Sequence, residues 1–167
     1  MTTALDVVGF SPVQGPRLLV LDEYVPLRLR TYERPLGASY VRLGNYSTTL
    51  LEVVVDPNRN VVRGLTIISY DTLSEWPDLA VVSYSDGLPV LAAVFGPANR
   101  IDLKEEFRVS MRKGELLVFW GDLSRCSQID FAQVHCLVQE GQLRGIRFSG
   151  LSDKESELFA SHAQRGA

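Results

Sequence analysis

The chain has little of what most metal and catalytic sites are made of. Among its 167 residues there are only two histidines, His135 and His162, and two cysteines, Cys126 and Cys136. Zinc sites favour paired ligands at short spacing. His135 and Cys136 are adjacent, so on a strand their side chains point to opposite faces. We therefore expect no metal and no cofactor, and two reduced thiols rather than a disulfide.

Long apolar runs and an excess of positive charge are also missing. No apolar run approaches the roughly 18 residues of a membrane span, and the N-terminal apolar patch is interrupted by Asp6, Gly9 and Pro12. Without a basic segment before it, this patch does not fit a secretory signal, so we expect a cytoplasmic protein. The net charge of −3 argues against a direct nucleic-acid binder and suits a basic protein partner.

What the chain does have is apolar residues that recur at every second position, which is the dominant pattern along it. Alternating or β-branched segments predict half-buried and buried strands. The predicted strands are Pro26–Tyr32, Leu50–Val55, Val61–Tyr70, Ala80–Tyr84, Val90–Phe95, Phe107–Met111, Glu115–Trp120, Gln128–Val138 and Gln142–Phe148. Asp71–Leu79 is expected to be a loop or one helical turn. The pattern predicts a mainly β protein, an antiparallel sheet of hairpins arranged as a sandwich or half-barrel, in a single domain over residues 1–167.

One helix is expected at the C-terminus. Ser152 and Glu155 fit a capping box, with Ser at the N-cap and Glu at N3, and Leu151 is placed to staple the first turn. Leu158 and Phe159 should face the sheet. The tail should fray from Ala163.

An Arg-Gly phrase occurs twice, in VVRGLTIIS (61–69) and in LRGIRFSGLS (143–152). A phosphate-binding loop would be richer in glycine and would open a helix. Here each Arg-Gly lies inside a returning strand, so each glycine is expected to mark a bulge or a close backbone approach. The hairpins 51–69 and 132–150 are then equivalent units, with Gly64 and Gly145 in matching places.

Nucleophilic catalysis needs a serine, cysteine or threonine beside a base. A triad would have to use His135, since His162 lies near the terminus. We expect instead that His135 is half-buried and bonds a backbone carbonyl. The sequence therefore predicts no catalytic residues and no enzyme.

Interaction surfaces are the remaining option. Trp76 stands in a loop with acidic neighbours, which is how a protein-binding surface meets a basic partner. The alternative is that Trp76 folds back to close the end of the sheet. The predicted partner-binding residues are Asp71, Glu75, Trp76, Asp78, Tyr84 and Asp86.

Three stretches, TTLLEVVVDPNRNVVRGLTIISYD (48–71), FRVSMRKGELLVFWGD (107–122) and VQEGQLRGIRFSGLSDKE (138–155), carry a resemblance. In their pattern they resemble immunity proteins of bacterial contact-dependent growth inhibition and related polymorphic toxin systems. The resemblance implies a cytoplasmic, non-enzymatic protein that binds the cognate C-terminal toxin domain and occludes its active site. Such toxins are often nucleases with basic substrate clefts, so the resemblance implies a basic protein partner. No residue role transfers, because each immunity protein matches its own toxin.

The residues leave two other hypotheses about function open. One is a small-ligand-binding or enzymatic β-barrel protein whose interior cavity is lined by Arg28, Arg30 or His135. The other is an assembly subunit whose exposed sheet edge pairs with a second copy.

Overall fold

The computed structural model describes residues 3–12, 17–32 and 37–165. Over these ranges the chain forms strands and a single C-terminal helix, so the mainly β prediction is confirmed. The helix is α1 (Asp153–Arg165). The strands are β1 (Val7–Ser11), β2 (Leu18–Val20), β3 (Leu27–Arg30), β4 (Ser39–Leu43), β5 (Leu50–Val55), β6 (Val62–Ser69), β7 (Leu73–Ser74), β8 (Ala80–Asp86), β9 (Leu88–Leu91), β10 (Arg100–Asp102), β11 (Phe107–Arg112), β12 (Glu115–Trp120), β13 (Arg125–Phe131), β14 (Val134–Gln139) and β15 (Gln142–Phe148).

The strands form two large sheets and one small one. The six-stranded sheet has the order β10-β4-β5-β6-β3-β2, and the seven-stranded sheet has the order β7-β11-β12-β15-β14-β13-β8. β1 and β9 pair separately. Most neighbours are antiparallel, and the parallel pairs are β10–β4, β11–β7 and β13–β8. Both large sheets are open, because each ends in edge strands.

One core joins the two large sheets. Strands of the six-stranded sheet contribute fully buried leucine and valine side chains such as Leu51 and Val53, and those of the other sheet contribute Val118, Trp120 and Phe148. The Trp120 indole N–H donates to the Leu143 carbonyl at 2.8 Å, which satisfies the buried polar group. The apolar positions predicted from the period of two thus face one another across this core.

Helix α1 closes one side of the core. The capping box is present in full: the Ser152 hydroxyl accepts from the Glu155 N–H at 3.1 Å, and the Glu155 carboxylate accepts from the Ser152 N–H at 3.0 Å. Phe159 is fully buried and stacks on Tyr70 with 4.8 Å between the ring centres. The helix continues past Ala163 to Arg165, so it is longer than expected.

The two Arg-Gly phrases lie on the returning strands β6 and β15. A Cβ on Gly64 would come 2.5 Å from the Leu29 carbonyl oxygen, and one on Gly145 would come 2.8 Å from the Val118 carbonyl oxygen. Each glycine therefore allows a third strand to approach closely. Each also pairs with the residue at which its hairpin shifts register, Val54 or Leu137. The internal repeat of 51–69 and 132–150 itself stays a sequence prediction.

The predicted strand Gln128–Val138 was wrong, because it is two strands. β13 ends at Phe131, and β14 starts at Val134. Ala132 takes a left-handed φ of 52°, which reverses the chain. Neither Ala132 nor Gln133 is a typical turn residue, so composition did not mark the reversal. This turn has a chemical consequence, because it places Asp130 directly opposite His135.

Candidate functional site

The seven-stranded sheet has a second face, turned away from the shared core. We call it the outer face. A small apolar cluster covers part of it, formed by Leu117, Phe119, Leu123, Cys126 and Leu137 with Trp76, Leu79 and Val81 packed on top. The segment 75–81 thus crosses the outer face. The Ser110 hydroxyl fixes the start of this segment by donating to the Glu75 carbonyl at 2.9 Å.

Trp76 is held on the outer face by a cation. The Arg112 guanidinium lies 4.1 Å from the centre of the indole ring, and Glu115 accepts a hydrogen bond from Arg112. Such a contact is worth about 0.5–1 kcal/mol at an exposed site. The ring packs back onto the sheet and also lines an open groove, so its orientation is already set before any partner arrives.

This groove, which we call the acidic groove, lies between residues 74–78 and residues 121–124 and has a volume of about 860 Å³. Its carboxylates are Glu75, Asp78 and Asp122, and its one cation is Arg108. None of the three carboxylates makes an ion pair or a side-chain hydrogen bond with another described residue. With three carboxylates and one cation, the groove carries net negative charge beside the aromatic rings of Trp76 and Phe119.

Strand β8 forms a free edge next to the outer face. It pairs only with β13 in the described part of the chain. Tyr84 and Val82 expose 67% and 49% of their surface. The other edges of the two large sheets are short, since β7 has two residues and β2 and β10 have three each, whereas β8 has seven. Proteins usually shorten or charge such edges, and β8 is neither short nor charged before Asp86.

The predicted binding residues fall into three places. Glu75, Trp76 and Asp78 line the acidic groove. Tyr84 and Asp86 lie on β8. Asp71 is separate: it accepts from the Thr48 hydroxyl at 3.0 Å and lines a neighbouring depression of about 190 Å³. Asp122 was missed, because it follows β12 in sequence and only the fold brings it to Trp76.

His135 lies half-buried on the outer face, as expected. It does not bond a backbone carbonyl of any described residue, so that part of the expectation was wrong. Its Nδ1 lies 2.6 Å from Asp130 Oδ1, and its Nε2 lies 2.8 Å from Ser149 Oγ. Gln128 donates to the same Asp130 oxygen at 2.8 Å. The reason is the turn at Ala132, which the strand prediction overlooked. A break in alternation between Asp130 and Val134 was the signal that could have located it.

The two thiols are buried under different surfaces. Cys126 belongs to the outer-face cluster and Cys136 to the shared core, and both are free. Burial raises the pKa of the Cys136 thiol to about 12, with a further increase from the Asp130 charge. Burial also raises the pKa of Cys126. Neither sulfur is therefore a ready nucleophile.

Over residues 3–12, 17–32 and 37–165, no group of three histidine, cysteine or acidic side chains is arranged to hold a metal ion. Within that part of the chain, no helix has the length and apolar character needed to cross a membrane.

Comparison with known proteins adds no assignment. No protein-family model matches the chain. No curated protein matches it either.

Proposed function

We propose that this protein is an immunity protein that binds the cognate C-terminal toxin domain of a bacterial contact-dependent growth inhibition system and occludes the toxin's active site. The observation that carries the proposal is the acidic groove, which places three unpaired carboxylates beside Trp76. The proposed action takes place in the cytoplasm and is steric. It needs no cofactor and no catalytic step of the immunity protein.

Charge supports a basic partner. Glu75, Asp78 and Asp122 line one groove, and the whole chain carries a net charge of −3. A nuclease toxin needs a positive cleft to hold its substrate backbone. Opposite potentials of this kind speed association and exclude wrong partners. Arg108 at the same groove provides one cation for a carboxylate of the partner.

Preorganisation supports binding at Trp76. The indole ring already stacks under Arg112, and the segment that carries it is bonded to Ser110. Little conformational freedom is lost when a partner covers such a ring. Aromatic side chains fixed at the centre of an interface commonly carry much of its binding energy.

The free edge of β8 supports a second contact. Its outward N–H and C=O groups can pair with an extended segment of the toxin domain, which is the geometry of strand addition. Tyr84 and Asp86 would then lie beside the side chains of the added strand. A β-branched residue opposite Tyr84 and a basic residue opposite Asp86 would be the favourable pairs.

The test is co-expression with the toxin domain encoded by the neighbouring gene. We expect the wild-type protein to form a complex and to suppress toxicity. The double charge reversal Glu75→Lys with Asp78→Lys should weaken binding by about 100-fold or more, because each reversal replaces an attraction by a repulsion. Glu157→Lys, a single charge reversal at an exposed position on α1, is the control away from the groove and should bind within a few-fold of wild type.

The outcomes are distinct. If no complex forms with the wild-type protein and toxicity persists, the proposal fails. If the complex forms but the groove reversal binds as tightly as Glu157→Lys, the acidic groove is not the interface. A stable dimer of the protein alone, without affinity for the toxin, would instead indicate that β8 pairs with a second copy.

A further inference from the structure

Three side chains on the outer face form a hydrogen-bonded chain, Asp130–His135–Ser149. The Asp130 carboxylate can only accept, so the proton of the neutral imidazole lies on Nδ1 and is donated to Asp130 across 2.6 Å. Nε2 then offers its lone pair to the Ser149 hydroxyl, 2.8 Å away. This is the order of bonds in a Ser-His-Asp triad, which is recognised by geometry and not by position in the chain.

The strand pairing holds these groups rigidly. Asp130 and His135 are direct partners across the β13–β14 ladder. Ser149 follows β15, and its N–H donates to the Gln133 carbonyl at 3.0 Å. Gln128 donates to Asp130 at 2.8 Å and in turn accepts from Arg147 at 3.1 Å. A base whose orienting carboxylate is itself fixed is the arrangement that activates a serine.

Donors for a developing oxyanion lie next to Ser149. Gly150 has a φ of 72°, and its N–H has no acceptor among the described residues. The Gln133 amide lies so close to Gly150 that a Cβ there would overlap it. Arg17 donates to Gln133 Oε1, and Gln133 Nε2 donates to no described residue, so it can donate to an oxyanion. A backbone N–H directly after the nucleophile is a common oxyanion donor in hydrolases.

We propose that Ser149 is a nucleophile for acyl transfer and that the protein hydrolyses carboxylic esters. This activity goes beyond the proposed toxin binding and does not depend on it. Gly150 and Gln133 are exposed, so the site is open to an ester with an accessible leaving alcohol.

The reaction balances with water as the only co-reactant. Ser149 Oγ bonds to the acyl carbon while its proton moves to His135 Nε2. The ester C–O bond then breaks, and the leaving alcohol takes that proton. Water attacks the acyl-serine and gives a proton to His135. Ser149 recovers a proton as the carboxylic acid leaves. Asp130 keeps the imidazole in the required tautomer throughout.

The test is active-site labelling of the native protein with a fluorophosphonate, followed by mass spectrometry, together with hydrolysis of p-nitrophenyl acetate. The serine oxygen displaces fluoride from phosphorus, so an activated serine carries a stable adduct. We expect the adduct at Ser149. His135→Gln should slow labelling by about 100-fold or more, which is the usual contribution of a general base. Ser149→Ala should remove both the adduct and the hydrolysis.

Ser47→Ala is the matched control, because Ser47 is an exposed serine in a different loop. It should label and hydrolyse as wild type does. Labelling of the wild-type protein by itself tests whether Ser149 is a nucleophile, so a poorly folded variant cannot obscure that result. The proposal is overturned if native protein carries no adduct at Ser149, or if Ser149→Ala retains wild-type hydrolysis. Neither result bears on toxin binding, which is measured separately.

Discussion

Gly64→Ala offers a sharp test of how the strands pack. The added Cβ would lie 2.5 Å from the Leu29 carbonyl oxygen, whereas ordinary contact starts at 3.4 Å, so β3 and β6 would have to separate by roughly 0.9 Å. The obstacle is backbone in the middle of a six-stranded sheet, not the movable end of a side chain. The strain must therefore be taken up by ladder hydrogen bonds and by the core beneath.

The expected cost follows from that overlap. Overpacking in a well-packed interior costs about 1–3 kcal/mol, and a backbone clash of this size puts Gly64→Ala near the upper end, at about 3 kcal/mol. Gly145→Ala meets the Val118 carbonyl oxygen at 2.8 Å and should cost less, about 2 kcal/mol. At about 2–4 °C per kcal/mol for a chain of this size, Gly64→Ala should lower Tm by about 6–12 °C.

Gly9→Ala is the matched control. A Cβ on Gly9 would meet nothing within 4 Å, and its φ lies outside the left-handed range. Its loss of unfolded-state freedom should stabilise the protein by about 0.4–1 kcal/mol. Urea unfolding followed by circular dichroism measures all three variants, with the slope m checked for constancy. If Gly64→Ala unfolds at the same urea concentration as Gly9→Ala, the close-approach argument is refuted.

Three further outcomes are expected. Ellman's reagent should modify neither Cys126 nor Cys136 in native protein, because both thiols are buried and burial raises their pKa values. In denaturant the reagent should modify both, and a fast reaction with native protein would contradict their burial. Bonds from Thr3 and Gln142 lower the pKa of Asp6 below 3.8, so its stabilisation is present above that pH and lost as the pH falls through the lowered value. Asp6→Asn should therefore narrow the stability difference between neutral and acidic solution; an unchanged difference would refute the linkage. Phe159→Ala should destabilise by about 3–5 kcal/mol in chemical unfolding, and a loss below about 1 kcal/mol would mean that α1 does not complete the core.

Local patterns predicted the strongly periodic elements well. The alternation in Phe107–Met111 and Glu115–Trp120 corresponds to β11 and β12, and the run Leu50–Val55 coincides with β5. The capping box at Ser152 marked the start of α1. These signals are reliable because a single strand face or helix turn contains all the residues that generate them.

Short edge elements escaped prediction. β2 and β10 have three residues each, and β10 pairs in parallel with β4, far away in the chain. Three residues carry too little periodicity to identify a strand. Their conformation depends on a neighbouring strand that supplies the hydrogen bonds.

The residues of the candidate site divide in the same way, into those that stand out in the local sequence and those that only the fold brings together. The acidic loop around Trp76 was predicted as a binding surface from sequence, because a tryptophan among acidic residues in a turn-rich segment stands out locally, and that role stays a prediction. Asp122 and Arg108 joined the groove only through the pairing of β11 with β12 and the turn after it. The segment containing Asp130 and His135 was read as one strand, and the left-handed Ala132 made it two.

By itself, the sequence determined the class of fold, the hairpin around Gly64, the helix cap and the scarcity of metal-ligating residues. Each depends on interactions between residues that are close in the chain. Tertiary structure alone decided which strands meet, that β8 is a free edge, and that His135 lies between Asp130 and Ser149. Those outcomes depend on strand register and on a turn without turn-forming residues. A register shift of one residue would have sent His135 to the opposite face of the sheet.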